Sequence, residues 1–360
     1  MGSWATYPNA LPDSKLPDAP LLGNGLLGVI LDASSHARNA SPTGPGSINS
    51  MDFFLNSNAF WSCTTCSAPI DPDGVDTSCC AVAALGGVSL RMPAYSAPLP
   101  SFTASQAIGT ATLAAAFAGV LSATCVMHPQ DSVVVINASS ALPPGAPPLV
   151  LQVGTWVHPA SQQAGWPAPA RAGCASPQGA EAPACGAPAA SLAFVSRNAS
   201  TRGAQVMPLA GALSTGLLLG PGAVLLSVAA AASGAEVTHT VSLPSGAWVA
   251  AATAAHTTRG PGLADPVPGA LAAAASALAA GVGAVAEEAG AWWEGFWGAS
   301  SVALPTRPAL QALFDGAQYV LAGASATRSL RDVPPPGLYG PWATQDNPAW
   351  QGDYTLVSCL

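Results

Sequence analysis

"EVTHTVSLPSGAWVAAATAAHTTRGPGLADPVPGALAAAASALAAG", residues 236–281, is the stretch in which the chain changes its hydrophobic period, and the fold turns on that change. At its start Val237, Val241 and Leu243 alternate with Thr238, Thr240 and Ser242, the two-residue repeat of a half-buried strand. From Asp265 the repeat becomes helical. Asp265 can cap a helix and Pro266 fits a first turn, and an alanine-rich stretch follows. Leu271, Leu278, Val282, Val285, Trp292 or Trp293, and Phe296 then fall on one stripe at helical spacing. Gly281, Gly283 and Gly290 weaken that helix, so it needs tertiary contact to persist.

Upstream, from about residue 22 to 257, the pattern is strand, turn, strand. The apolar runs are "LLGVILDA" (26–33), "SINSMDFFLNSNAF" (47–60), "GGVSLRM" (86–92), "SVVVINAS" (132–139) and "PLVLQVGTWV" (148–157). "ASLAFVSRN" (190–198), "AVLLSVAAAA" (223–232), "EVTHTVSL" and "AWVAAATAA" (247–255) continue the series. Gly, Pro, Asn and Asp clusters separate these runs, as an all-β sandwich requires. The Pro/Ala segment 158–189 reads as one long loop without function. Residues 203–235 carry no charge, but Gly216, Gly220, Pro221 and Gly222 interrupt them. Two buried strands joined by a turn fit better than a membrane helix of about 20 residues.

Downstream, Ser301–Leu304 reads as a short strand stopped by Pro305. A second helix starts near Pro308, with Leu310, Leu313, Phe314, Ala317, Val320, Leu321 and Ala324 on its apolar face. The last thirty residues hold no further helix pattern. The expected organisation is a β domain over 1–262, a helical linker over 263–304, and the start of a helical domain over 305–360.

Half of the 360 residues are hydrophobic and only 8% are charged, with Lys15 the single lysine and a net charge of −8. That balance argues against nucleic acid or an anionic membrane as partner. The N-terminal "MGSWATYPNALPDSK" has neither a basic n-region nor an apolar h-region of a signal peptide. Three N-x-S sequons, at Asn39, Asn137 and Asn198, incline the reading towards a secreted or endomembrane-lumen protein. Among the eight cysteines, Cys63-x-x-Cys66 and Cys79-Cys80 have the wrong spacing for a zinc hairpin pair and no histidine nearby. Loop disulfides, Cys174 with Cys185 for example, are the preferred reading in a secreted chain. No metal or cofactor is expected.

"GNGLLG" matches G-x-G-x-x-G through Gly23, Gly25 and Gly28. The fingerprint needs a strand before it and a helix after it. Here Pro17 and Pro20 precede it and the strand-like "VILDA" follows, so a turn into the first strands is expected instead of a nucleotide site. The five histidines stand apart, with no H-E-x-x-H or paired spacing, and supply neither metal site nor triad. Glu287 and Glu288 read as the solvated face of the linker helix.

The C-terminal "GPWATQDNPAWQGDYTLVSCL" (340–360) remains. Sugars present C–H faces that stack on aromatic rings and hydroxyls that bond carboxylates. Trp342, Trp350 and Tyr354 with Asp346 and Asp353 supply both chemistries, and Trp342, Asp346, Trp350 and Asp353 are the candidate substrate contacts. Packing of the two tryptophans in a long surface loop is the competing explanation.

Four collinear segments resemble glycoside hydrolase family 95, which holds α-L-fucosidases and some α-galactosidases within the six-hairpin glycosidases. "PLLGNGLLGVILDA" (20–33) resembles its P-x-G-N-G-x-x-G segment, and "FFLNSNAFWS" (53–62) its N-x-F-W strand. "WWEGFWGASSVALP" (292–305) is similar to its linker. "GAQYVLAGAS" (316–325) followed by "GLYGPWATQDNPAWQGDYTL" (337–356) is similar to its first barrel helix and loop. The resemblance implies a β-super-sandwich, a helical linker and an (α/α)6 barrel acting on an oligosaccharide by inversion. Inversion sets an acid and a base about 6.5–9.5 Å apart on opposite faces of the sugar. In the family the acid is a glutamate deep in the barrel, beyond residue 360, and the base is an asparagine pair backed by a later aspartate. That pair corresponds to Val357 and Cys359, neither of which can polarise water as an amide does. The chain is therefore expected to be a C-terminally truncated form without its catalytic residues, its Leu310/Leu313/Phe314 face open to water.

Overall fold

The computed structural model describes residues 2–4, 19–32, 50–58, 61–63, 80–82, 85–92, 101–142, 146, 149–154, 170–175, 181–182, 190–199, 209–218, 224–230, 237–243, 246–258, 267–299, 301–325, 337 and 339–343. Its strands begin with β1 (Gly2–Trp4), β2 (Leu21–Gly23), β3 (Leu27–Asp32), β4 (Ser50–Ser57), β5 (Trp61–Cys63) and β6 (Cys80–Val82). There follow β7 (Gly86–Arg91), β8 (Phe102–Ala107), β9 (Thr112–Phe117), β10 (Leu121–Met127), β11 (Val133–Ser140) and β12 (Leu149–Gly154). The last are β13 (Ala170–Ala175), β14 (Glu181–Ala182), β15 (Ala190–Ala199), β16 (Leu209–Leu218), β17 (Val224–Ala230), β18 (Val237–Leu243) and β19 (Gly246–Thr258). Three helices close the described chain: α1 (Val267–Ala280), α2 (Val282–Ala299) and α3 (Pro308–Ala324).

The protein is mainly β. A ten-stranded antiparallel sheet runs β1-β8-β9-β10-β11-β19-β16-β15-β13-β14, and a seven-stranded one runs β17-β18-β12-β7-β4-β3-β2. Alternation decides what each strand turns inward. Along β9, Leu113, Ala115 and Phe117 are buried; along β10, Leu121, Ala123 and Cys125 are buried while Ser122 and Thr124 face water. Those residues, with Val134 and Ile136 of β11, share one apolar cluster with Val29, Leu31, Met51, Phe53, Leu55, Val88 and Leu90 of the other sheet. This shared cluster makes the two sheets a sandwich, as the strand pattern predicted.

Several local expectations change. The meander β8–β10 lies where no apolar run stood out, because alanines stand on both faces (Ala104, Ala115 and Ala123 inward, Ala114 and Ala116 on the other side) and lower the amplitude of the alternation. Gly119, at φ +72, makes the turn from β9 into β10, a conformation glycine adopts without strain. The segment 158–189 is not wholly loop: β13 and β14 lie inside it, held by pairing such as Cys174 with Ala193 and with Ala182. β16 and β17 belong to different sheets, so they are not the arms of one hairpin. Residues 301–304 form no strand. β5 and β6 pair only with each other and set Cys63 opposite Cys80. Cys66, Cys79 and Cys185 lie outside the described residues.

The single helix expected after Asp265 is two. Gly281 takes φ +84, and the axes of α1 and α2 diverge by 94°. The glycine is the hinge, since an L side chain there would be strained. α1 packs Val267, Ala270, Leu271 and Ala274 over the ten-stranded sheet, while Val285 of α2 joins Val133 and Val135 of β11. No single helix among the described residues is long and apolar enough to cross a membrane.

Candidate functional site

The turn read in the sequence as Gly23-Asn24-Gly25 is the point where sandwich, α2, α3 and the chain near Trp342 meet. Asn24 uses its whole amide. Its Oδ1 accepts from the backbone N–H of Leu26 at 3.0 Å and Leu27 at 2.9 Å; its Nδ2 donates to the carbonyls of His128 at 2.9 Å and Asp131 at 2.8 Å. A buried amide so satisfied ties the β2–β3 turn to the β10–β11 turn. Gly25, at φ +79, sends its N–H to the carbonyl of Gly323 in α3 at 2.8 Å.

The glycines of the turn are there for close approach. A Cβ on Gly23 would stand 2.7 Å from Cζ2 of Trp342, and one on Gly28 would meet the carbonyl and the ring of Pro341. Gly323 and Gly340 flank the same indole, and Gly340 takes φ +55 to do so. Trp342 is 8% exposed and its Nε1 donates to the carbonyl of Leu22 at 2.7 Å. The indole is thus a wedge in the joint, with its N–H already committed.

α3 enters the joint through Tyr319. Its hydroxyl donates to the carbonyl of Leu21 at 2.9 Å, which also accepts from Gln106 Nε2 at 2.7 Å. Burial pushes the Tyr319 phenol well above its ordinary range. Partial burial raises the Tyr339 phenol too. α2 supplies aromatics: Trp293 stacks on Tyr319 with centroids 5.0 Å apart and on Trp297 at 6.0 Å, and Trp297 Nε1 donates to the carbonyl of Ile108 at 3.2 Å. At the rim, His128 Nδ1 accepts from the amides of Gln130 at 3.2 Å and Asp131 at 2.8 Å. Its Nε2–H is then free to donate to Glu288 Oε2 at 2.8 Å, so this glutamate, expected to be merely solvated, latches α2 to the sheet.

One group in the joint has unused capacity. Among the described residues, Asn56, 2% exposed on β4 and directly opposite Gly28, finds a hydrogen-bond partner for neither atom of its side-chain amide. A buried polar group left this way costs about 1–3 kcal/mol, so the position is held by its surroundings.

Of the four substrate contacts read from the sequence, Trp342 is placed in this joint; Asp346, Trp350 and Asp353 lie outside the described residues, as do Tyr354, Val357 and Cys359. Asn24, Asn56, Tyr319 and Trp297 were not singled out. An asparagine between two glycines was the available signal for the first; the others lie in segments already quoted, without a spacing that marks them. Among the described residues no three His, Cys, Asp or Glu side chains gather as a metal site. Buried Cys125 is held protonated by desolvation and has the chemistry of a core residue, not a nucleophile. No family model matches the chain, and a search of curated proteins finds no match.

Proposed function

We propose that the chain is the amino-terminal part of a carbohydrate-active glycoside hydrolase of the inverting, α-L-fucosidase or α-galactosidase type. One observation supports this most. The segments that resemble that family, far apart in sequence, meet in a single joint: the G-N-G turn, Trp293 and Trp297, Tyr319 and Gly323, and Trp342. Independent chance similarities have no reason to converge in space. In this reading the sandwich and α2 form a rigid base, α3 is the first helix of an (α/α)6 barrel, and the residues after Trp342 lead to the glycan, with Asp346, Trp350 and Asp353 as its contacts. Val357 and Cys359 stand where the reaction needs amides, so the chain binds sugar without hydrolysing it.

A second reading is a non-catalytic carbohydrate-binding sandwich. The closed Trp342 joint favours it, because that indole has its N–H satisfied within the protein. Nitrophenyl glycoside assays and titration calorimetry with fucosyl and galactosyl oligosaccharides test both. Binding without turnover, lost on Asp353→Ala or Trp350→Ala, is the expected result. Turnover by this chain would refute the assignment of its missing catalytic groups, and binding that residues 1–262 retain in full would favour the second reading.

A further inference from the structure

β11 carries one of the three N-x-S sequons, Asn137-Ala138-Ser139, and the sheet sorts its residues by face. Val134, Ile136 and Ala138 join the core between the sheets, while Asn137 and Ser139 are exposed on the opposite side. The acceptor amide and the hydroxyl that marks it for glycan transfer therefore stand together on open surface. Where α1 and α2 rest on this strand, at Val133 and Val135, it is apolar. From Asn137 onward its outer positions are polar and uncovered.

The neighbours leave room. On β10, Thr124 lies directly opposite Asn137 and Ser122 opposite Ser139, and both are exposed. Ala114 and Ala116 of β9 come next, and Ser105 and Thr103 of β8 complete the two rows. Across four strands these rows hold neither a charge nor a side chain larger than the asparagine itself. The buried asparagines among the described residues, Asn24, Asn56 and Asn58, stand in no sequon.

We propose that Asn137 is an N-glycosylation site and that this face of the ten-stranded sheet carries a glycan. The inference is independent of the activity proposed above. Asn137 Nδ2 bonds to the anomeric carbon of the first sugar of a lipid-linked oligosaccharide. The bond from that carbon to its pyrophosphate oxygen breaks, the lipid pyrophosphate leaves, and the amide gives up one proton. Transfer takes place on the entering chain, so the fold has only to tolerate the product, and an exposed side chain among small neighbours does. A bulky, hydrated glycan also gives this face the solubility that its lack of charge denies it.

The test is to send the 360-residue chain into the secretory pathway of a eukaryotic cell behind a cleavable leader. The lumenal and secreted pools together are then treated with peptide N-glycosidase F, which turns an occupied asparagine into aspartate. Peptide mass spectrometry is expected to show that conversion at position 137. Asn137→Gln and Ser139→Ala are expected to abolish it, and Ser139→Thr, which keeps the acceptor pattern, to retain it. Treated and untreated chains are expected to melt at the same temperature, because the side chain makes no core contact. An unmodified asparagine at position 137 overturns the proposal. So does a glycosylated chain that fails to fold where Asn137→Gln folds, since this face then has no room for the glycan.

Discussion

α2 and α3 are neighbouring amphipathic helices of 18 and 17 residues, and they settle their apolar faces in opposite ways. α2 turns Val285, Ala289 and Trp293 inward, and Trp292, Phe296 and Trp297 pack against the same core. α3 touches that core with Tyr319 and turns Leu310, Leu313 and Leu321 out. Sequence periodicity says that a helix has an apolar face; it does not say which neighbour receives it. The difference comes from the joint. Gly23, Gly25 and Gly323 let α3 approach backbone to backbone, so the face that carries Tyr319, Gly323 and Ala324, not the leucine face, makes the contact.

Five measurements can break or sharpen that contrast, the largest effect first. Trp293→Ala removes the ring stacked on Tyr319 and Trp297 and is expected to cost about 3–5 kcal/mol in urea unfolding. Gly28→Ala drives a methyl group into the Pro341 carbonyl and is expected to cost about 1–3 kcal/mol, loosening the Trp342 turn and raising amide exchange there. Alkaline pH acts on the core beneath α3. Burial holds the Cys125 thiol and the Tyr319 phenol protonated in the fold, whereas the unfolded groups ionise from about pH 8.5 and about pH 10. Both folded values are raised, so the stability they carry is full below those points and is lost as pH climbs. The loss from Cys125 is expected to reach about 2 kcal/mol near pH 10, and Cys125→Ala should flatten that slope in parallel unfolding curves.

Tyr319→Phe removes one of two donors on the Leu21 carbonyl. Gln106 still serves that oxygen, so the cost is expected to be about 1 kcal/mol by thermal melt. Leu310→Gln, on the exposed face of α3, is expected to change monomer stability by less than about 0.5 kcal/mol. A cost near that of Trp293→Ala would mean that α3 buries this face in the monomer, and the contrast between the helices would fall.

Much of the architecture was legible. Strong β-branched alternation, as in Val237–Leu243, and Pro308 at a helix start predicted elements that the fold contains. Weak patterns hid the rest. β9 and β10 are strands because Leu113 and Phe117 pack against the other sheet, and alanine between them carries little signal. Gly281 was read as a weak point in one helix and is a bend between two, since nothing local shows that the chain turns there to lay α1 and α2 along different strands of the same sheet. The G-x-G-x-x-G motif was expected to be a turn into the first strands, and it lies at the turn between β2 and β3. What its glycines do there, admitting Trp342, Pro341 and Gly323, depends on partners some 300 residues away.

By itself, then, the amino-acid sequence determined the element types and the low-charge, glycine-punctuated character of the chain, because strand and helix periods are local properties of neighbouring residues. Only the tertiary structure decided which faces are spent and which are left. Among the described residues Asn24 is fully satisfied, Asn56 is not, and the leucines of α3 face water. Burial and hydrogen-bond satisfaction belong to pairs of surfaces brought together from distant segments, so no reading of one segment alone contains them.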